Sequence, residues 1–381
     1  MLLLLGSLSA AIWLWLLFFQ GRFWLSGPTL ADAPRLPAPV RVAVVVPARD
    51  EAEHAEQALR SLLAQQLDGE LCVILVDDNS GDGTGDLARR IAEEDPRLRV
   101  VAGEALPPGW SGKLWAVAQG LRRPEAREAD YVLLTDADIV HSPAHLRALI
   151  GKAADQLDLV SEMVRLHCET AAERAMIPAF VFFFQMLYPF AWVGDRTRRT
   201  AAAAGGTLLI SRRALDAVHG VDRIRGELID DVAMAQQVKA AGYGIWLGHA
   251  EHAVSARIYA GFGDTWSMIA RTAYVQLRYS PLLLAATCVG MLLVFAGPVI
   301  AAAAGSGMAR WTGLAAWLMM AAAFQPTLRR YRCSSFRGLV LPGIAMFYLA
   351  ATCGSAARFC RGKGGNWKNR DYPARSETNR A

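Results

Sequence analysis

Histidine and cysteine are scarce and scattered in this 381-residue chain, with seven and six copies. No CxxC pair occurs, and no cysteine has a histidine at metal-ligand spacing, so neither a disulfide framework nor a zinc site organises the fold. Internal repeats and low-complexity tracts are also missing. The excess of positive charge is small, 40 Lys+Arg against 35 Asp+Glu for a net of +5. It collects beside apolar segments (Arg329, Arg330, Arg332, Arg337, then Arg358, Arg361, Lys363, Lys368, Arg370). Anionic headgroups and the positive-inside rule account for that placement, and nothing in it calls for nucleic acid.

Charge is absent altogether from four long runs: Leu2 to Phe19, Pro281 to Met308, Trp311 to Leu328 and Gly338 to Ala357. Each is close to the roughly 20 residues a helix needs to cross a bilayer core. The first run lacks a basic n-region and a small-x-small cleavage site, and it holds Trp13 and Trp15. Residues 1–20 are therefore expected to form an uncleaved anchor. With 53% hydrophobic residues, the chain reads as an integral membrane protein carrying one sizeable soluble domain. Ala175 to Gly194 is uncharged as well, but Pro178, Gln185, Tyr188 and Pro189 interrupt it. A crossing there would put the acids before and after it in different compartments, so residues 175–194 are expected to lie at the interface. Four full spans would carry the basic tail 359–381 outside. The positive-inside rule then requires either a re-entrant Gly338–Ala357 or a different span count.

Residues 21–40 are proline-rich and read as a linker. From 41 to 280, short β-rich runs ("RVAVVVP", "LCVILVDD", "RLRVVAG", "YVLLTDAD", "LDLVSEMV") alternate with helical stretches such as "EAEHAEQALRSLLAQQ". That alternation predicts an α/β domain: a Rossmann-like, mostly parallel sheet with helices on both faces. Residues 281–358 are expected to add a membrane domain of two to three hydrophobic segments.

Ligands of open parallel sheets bind beyond the carboxyl ends of the strands. Three predicted strand ends carry acids there. "VVVPARDE" ends in Pro47, Arg49 and Glu51; "ILVDDNSGDGT" ends in Asp77 and Asp78; "YVLLTDAD" ends in Asp136 and Asp138. One Asp-x-Asp is a common strand end or helix cap, and Asp77–Thr84 alone reads as a helix-entry turn. Three acidic ends on one sheet edge point instead to a polar ligand and a hard divalent cation. "PPGWSGKLWA" sets Lys113 at a helix start, where a cation and free N–H groups suit a diphosphate. "GELIDDVAMAQQV" sets Asp230 and Asp231 at the head of a helix, where paired acids can tune a general base.

Taken in order, VPARDE, VDDNSGDGT, GK, TDAD, AAGGTLLISRRAL and IDD resemble the family 2 inverting glycosyltransferases of GT-A fold, over roughly residues 40–280. The resemblance implies a nucleotide-sugar donor, taken as a UDP-sugar, with Asp78 reading uracil and Pro47, Arg49 and Glu51 lining the nucleoside pocket. It implies Asp136 near ribose and diphosphate, with Lys113 as the cation facing them. Asp138 becomes the principal ligand of Mn²⁺ or Mg²⁺, with Asp136 beside it. Asp231 becomes the base that deprotonates the acceptor, with Asp230 as its neighbour. Two positions depart from the family pattern: Asp50 replaces the usual Asn, and Asp230 replaces Glu in the usual Glu-Asp pair. "VQLRY" (Gln276, Arg278, Tyr279) is similar to a degenerate Gln-x-x-Arg-Trp motif. Gly205, Gly206, Arg271 and Arg278 are the candidate acceptor or diphosphate contacts. "GGNWKNRDY" is similar to a Trp-Lys-x-Arg element of some lipid-glycosylating relatives. The whole chain resembles the hopene-associated glycosyltransferases of bacteria. That resemblance implies a lipid acceptor and a multi-pass place in the inner membrane, with the catalytic domain in the cytosol. Transfer to a polyprenyl phosphate, or a catalytically inactive nucleotide-binding scaffold, are the competing readings.

Overall fold

The computed structural model describes residues 1–31, 36, 38–362, 366–367 and 370–371. Most of the Trp-Lys-x-Arg element, of the basic tail and part of the linker lie outside the described residues. Helix α1 (Leu2–Phe19) precedes the soluble domain. There, β1 (Val40–Ala48), α2 (Ala52–Leu63), β2 (Gly69–Asp77), α3 (Thr84–Glu94), β3 (Leu98–Ala102), α4 (Gly112–Leu121), α5 (Pro124–Arg127) and β4 (Tyr131–Leu134) follow one another. Next come β5 (Ile139–His141), α6 (His145–Ala153), β6 (Leu159–Arg165), α7 (Ala171–Leu187), α8 (Phe190–Gly194) and β7 (Leu208–Ser211). The domain closes with α9 (Arg212–Ala217), α10 (Asp230–Ala240) and β8 (Ile245–Ser255).

One eight-stranded sheet has the order β3-β2-β1-β4-β7-β6-β8-β5. Its first half is parallel throughout, β1 pairing with both β2 and β4, and β2 with β3. Val42 to Ala48 of β1 are all buried, as expected for a strand covered on both faces. The second half is mixed. β7 runs antiparallel to β4 and β6, and β5 runs antiparallel to β8, whereas β6 and β8 are parallel. The alternation in the sequence concealed this half because β5 and β7 are only three and four residues long.

Periodicity explains the covering helices. Ala55, Ala58, Leu59, Leu62 and Leu63 form the buried stripe of α2. Ser111 caps α4, its hydroxyl accepting from the N–H of Leu114. Helix α4 lies tight on the sheet: a Cβ added to Gly120 would sit 2.5 Å from Val45 Cγ1. Register aligns Pro47 with Val76 and Ala48 with Asp77, so the acidic ends of β1, β2 and β4 share one edge.

Beyond β8 come α11 (Phe262–Gln276), α12 (Pro281–Met291), a π-helical turn (Leu292–Ala296), α13 (Gly297–Ala304), α14 (Met308–Arg330) and α15 (Leu341–Cys360). Among the described residues three helices are long and apolar enough to cross a membrane: Leu2–Phe19, Pro281–Ala304 and Ser335–Cys360. Helix α14, which holds the charge-free run Trp311 to Leu328, is not among them; Gln325, Pro326 and two threonines lower its hydropathy. It still packs against α1 and α13. A Cβ at Gly313 would lie 2.5 Å from the Ala302 nitrogen, the close approach that small residues permit between helices. The π turn frees carbonyl groups, and α1 satisfies two of them: Ser9 Oγ donates to Leu293 O (2.7 Å) and Trp13 Nε1 to Val294 O (2.8 Å).

Contacts fix how this bundle sits on the soluble domain. Arg330, ending α14, donates to Ala250 O and pairs with Glu251 (2.8 Å). The chain then turns back along α14, with Gln325 bonding Ser335 O and Trp317 bonding Leu339 O. From there α15 runs towards the start of α12: Cys353 lies 3.7 Å from Cys288, and Phe359 stacks on Tyr279 at 4.4 Å. Ser335 and Cys360 therefore both stand at the end of the bundle nearest the soluble domain. The uncharged segment 175–194 is broken, with α7 stopping at Leu187 and α8 starting after Pro189. Helix α7 packs its aromatic side chains between the sheet and the bundle, Phe182 against Phe324 and Phe183 against Tyr348.

Candidate active site

The loops leaving β1 and β2 are laced together. Glu51 N–H donates to Thr84 Oγ1 (2.9 Å), Asp50 N–H to Ser80 Oγ (3.0 Å) and Gly81 N–H to Asp50 Oδ1 (2.8 Å). Asp50 adopts a left-handed φ of 51°, which short polar side chains tolerate. Asp78 is fully buried, and the Arg49 guanidinium lies 3.6 Å from its carboxylate while bonding its carbonyl.

Lys113 reaches from the head of α4 to Asp136 (2.9 Å) and Asp230 (3.2 Å). Burial works against its charge, but these two acids and Asp231 outweigh it and hold the ammonium protonated. Asp136 is pushed up by burial. Lys113 opposes that push, and the charges of Asp138 and Asp230 add to it. Asp231 accepts the N–H of Gly205 (2.8 Å) and of Val232 (2.7 Å). Burial first, then the charge of Asp230, raise it to about 7. Pro47, Lys113, Asp136, Gly205, Asp230 and Asp231 line one narrow cleft. A Cβ on Gly205 would stand 3.3 Å from Lys113 Nζ and 3.5 Å from Asp231 Oδ2, so glycine keeps the centre of the cleft open.

Sequence reasoning missed Arg257. Its Nε donates to Asp138 Oδ2 (2.9 Å) and its Nη2 to both oxygens of Glu51 (2.9 and 3.0 Å). One guanidinium thus neutralises two largely buried carboxylates. Strand β8, whose His249, Glu251 and His252 break an apolar pattern, hides this residue in the sequence. Glu173 was missed as well. It accepts from the N–H groups of Glu169, Thr170 and Tyr259 and bonds His167, and it tethers the Arg257 loop to the start of α7. Arg271 and Arg278 stand apart: among the described residues no hydrogen bond or ion pair joins them to the acids. Gln276 bonds Tyr188 OH, and the charges of Asp231 and Arg278 both act on that hydroxyl, so the "VQLRY" element does approach the cleft.

Among the described residues no three His, Cys, Asp or Glu side chains are arranged to hold a metal. Two carboxylates nevertheless fit a Mg²⁺ or Mn²⁺ ion that takes its remaining ligands from water and a diphosphate. Asp136, held above its ordinary range, is short of positive charge even with Lys113 beside it.

Residues 43–218 match the sequence profile of glycosyl transferase family 2. That stretch, a little under half of the chain, is similar to a family 2 glycosyltransferase domain. Across 129 residues this chain is 30% identical to an undecaprenyl-phosphate 4-deoxy-4-formamido-L-arabinose transferase of Pseudomonas syringae pv. syringae (strain B728a). That stretch is 32% of this chain and 36% of the relative, so the chain spans about a third of the length of the curated protein it matches. Among solved structures, a mannosyltransferase from Pyrobaculum calidifontis, determined with GDP-Man and Mn²⁺, superposes with a TM-score of 0.55 at 22% identity. The match covers 94% of this chain and 99% of the other, and it shows a GT-A-like fold. The match over residues 43–218 indicates a glycosyltransferase domain, in line with the ordered motifs.

Proposed function

We propose that the transferase moves a sugar from a UDP-sugar onto the hydroxyl of a membrane lipid, with inversion, on the cytosolic face of a bacterial inner membrane. The observation that carries this reading is Asp231: a half-buried carboxyl raised to about 7, beside Asp230, across the cleft from Asp136 and Lys113. A hydroxyl acceptor must lose its proton as it attacks, and a base titrating near neutrality suits that step. In this reading the acceptor oxygen forms its bond to the anomeric carbon, the bond to the diphosphate breaks on the opposite face, and the acceptor proton passes to Asp231. Lys113 draws the diphosphate to the head of α4 and neutralises charge that develops on it. Asp138 and Asp136 would hold a divalent ion, which supplies further neutralisation of the leaving diphosphate. Asp78 and Arg49 close the nucleoside end, and Gly205 leaves room for the sugar, whereas Gly206 faces Val164 and Ile139 and lets the turn pack against them.

The membrane placement rests on the bundle. With α1, Pro281–Ala304 and α14 crossing and Ser335–Cys360 re-entering, the tail lies on the side of the catalytic domain, and the arginines at 329–332 and 358–361 obey the positive-inside rule. The interrupted α7 would then lie along the interface and face the acceptor.

A second reading, transfer to a polyprenyl phosphate, is favoured by the name of the Pseudomonas relative. Such an acceptor needs no strong base. A hopanoid-linked acceptor rests on sequence resemblance alone. The test is UDP release from purified protein given UDP-glucose, Mn²⁺ and bacterial lipid extract. Turnover that depends on the lipid fraction supports the proposal. Tight UDP binding with no turnover for any donor would instead leave a nucleotide-binding scaffold.

A further inference from the structure

Behind the Asp136–Asp138 turn lies a row of buried polar side chains that the transfer chemistry does not use. Thr135 Oγ1 is 2.7 Å from Gly206 O and 3.1 Å from His141 Nε2. His141 Nδ1 is 2.8 Å from His145 Nδ1, and His145 Nε2 is 2.6 Å from Glu162 Oε2. His141, His145 and Glu162 are all buried, the last completely.

Donor counting fixes where the hydrogens sit. A carbonyl only accepts, so the one hydrogen of Thr135 goes to Gly206 O. His141 Nε2 must then donate to Thr135 Oγ1. A neutral His141 leaves Nδ1 as an acceptor, so His145 donates through its own Nδ1. That leaves a proton required between His145 Nε2 and Glu162. Burial pushes His141 and His145 down and raises Glu162 to about 8, which places this proton on the glutamic acid. Glu162 Oε1, buried without a hydrogen-bond partner, agrees with a neutral acid, because an ionised carboxylate would leave a bare charge there. His252 and Arg330 oppose the raised value and Glu251 supports it; these are the other charged groups facing Glu162.

Gly206 sits next to the residue whose N–H holds Asp231. We propose that Glu162, His145 and His141 are positioning residues: a one-way hydrogen-bond relay that fixes the Gly205–Gly206 turn beneath Asp231 and works only while the Glu162–His145 pair keeps one shared proton. Remove that proton and the chain must reverse. His145 Nε2 then donates to Glu162, His141 Nδ1 to His145, and Thr135 to His141 Nε2, so the Gly206 carbonyl loses its hydroxyl donor. The functional part of this inference rests on Asp231 acting as the base.

Glutamine at 162 can donate to His145 without titrating; leucine cannot donate at all. Infrared spectra of the full-length protein, wild type minus E162Q at pH 7, should contain a protonated carboxyl band that disappears near pH 8. Nitrogen-15 spectra should place hydrogen on His141 Nε2 and His145 Nδ1. Hydrogen on His141 Nδ1, or an ionised Glu162 beside a singly protonated His145, overturns the relay. With UDP-glucose as donor, wild-type kcat should decline above about pH 8 as the shared proton is lost; E162L should lose kcat by about 10- to 100-fold with little change in KM, while E162Q stays within about threefold and shows no such decline. Equal losses in both variants at unchanged Tm overturn the positioning role. The spectra need no turnover, so the relay is judged even where the proposed donor fails. An active Asp231→Asn variant would sink the base assignment and leave the spectroscopic result standing.

Discussion

Asp231→Asn removes the proposed base with almost no change in shape. The amide oxygen can still accept from Gly205 N–H, so the turn beneath it keeps its anchor, while the amide nitrogen gives up the bond from Val232 N–H. What disappears is a carboxyl raised to about 7 by burial and by Asp230. An acid of that value is about nine-tenths ionised at pH 8 and about one-tenth ionised at pH 6, so kcat/KM should fall close to tenfold per unit below neutrality. The sign follows from the role: the ionised form takes the proton, and activity rises with pH through about 7. Loss of a positioned base typically removes 10²- to 10⁴-fold in rate. In Asp231→Asn, kcat should fall by about that range and the acid limb of the profile should vanish, with UDP affinity changed less than about threefold. The assay is UDP release across pH 5.5–8.5 together with UDP binding by calorimetry. A variant that keeps more than about a tenth of wild-type kcat refutes the base assignment. It would move the reading to a phosphate acceptor, which arrives already ionised.

Three further predictions use other parts of the molecule. Arg257→Ala strips two largely buried carboxylates, Glu51 and Asp138, of their shared cation; it should destabilise the fold by roughly 3 kcal/mol, and millimolar Mn²⁺ should restore more of the lost Tm than it adds to wild type. If Mn²⁺ raises both proteins equally, Asp138 is not a metal ligand. Glu173 is brought down to about 2: burial opposes that shift, but the backbone donors at Thr170, Tyr259 and Glu169 and the His167 ring outweigh it. Its folded value is depressed, so its stabilisation is present above the ordinary carboxylate range and lost as pH falls towards 2. The Tm gap between wild type and Glu173→Gln should therefore narrow from pH 6 to pH 3, and a constant gap would show that the charge is irrelevant. Finally, fluorescent-protein and alkaline-phosphatase fusions after residue 381 should report the tail on the cytosolic side; an active phosphatase fusion would mean that Ser335–Cys360 crosses fully.

The half of the sheet that could be read from the chain is the half whose strands are continuous apolar runs. Val42 to Val46 and Leu71 to Val76 announce themselves because both faces are buried, and their acidic ends fall on one edge because parallel strands must. That is why Pro47, Asp78, Lys113, Asp136 and Asp231 are legible as candidate site residues in the sequence. What stayed hidden was carried by pairing across long separations. β7 is too short to show a period, and β8 mixes His249, Glu251 and His252 into its apolar positions. Arg257, 119 residues from Asp138 and 206 from Glu51, has no local signature at all. The same limit applies to the last hydrophobic segment. Its length and composition suit a span, and only Trp317 against Leu339 and Phe359 on Tyr279 show how it packs along the neighbouring helices. Local chemistry thus nominates the candidate acids of the cleft and Lys113 beside them, whereas the guanidinium of Arg257, and the way the last helices pack, emerge only from tertiary contact.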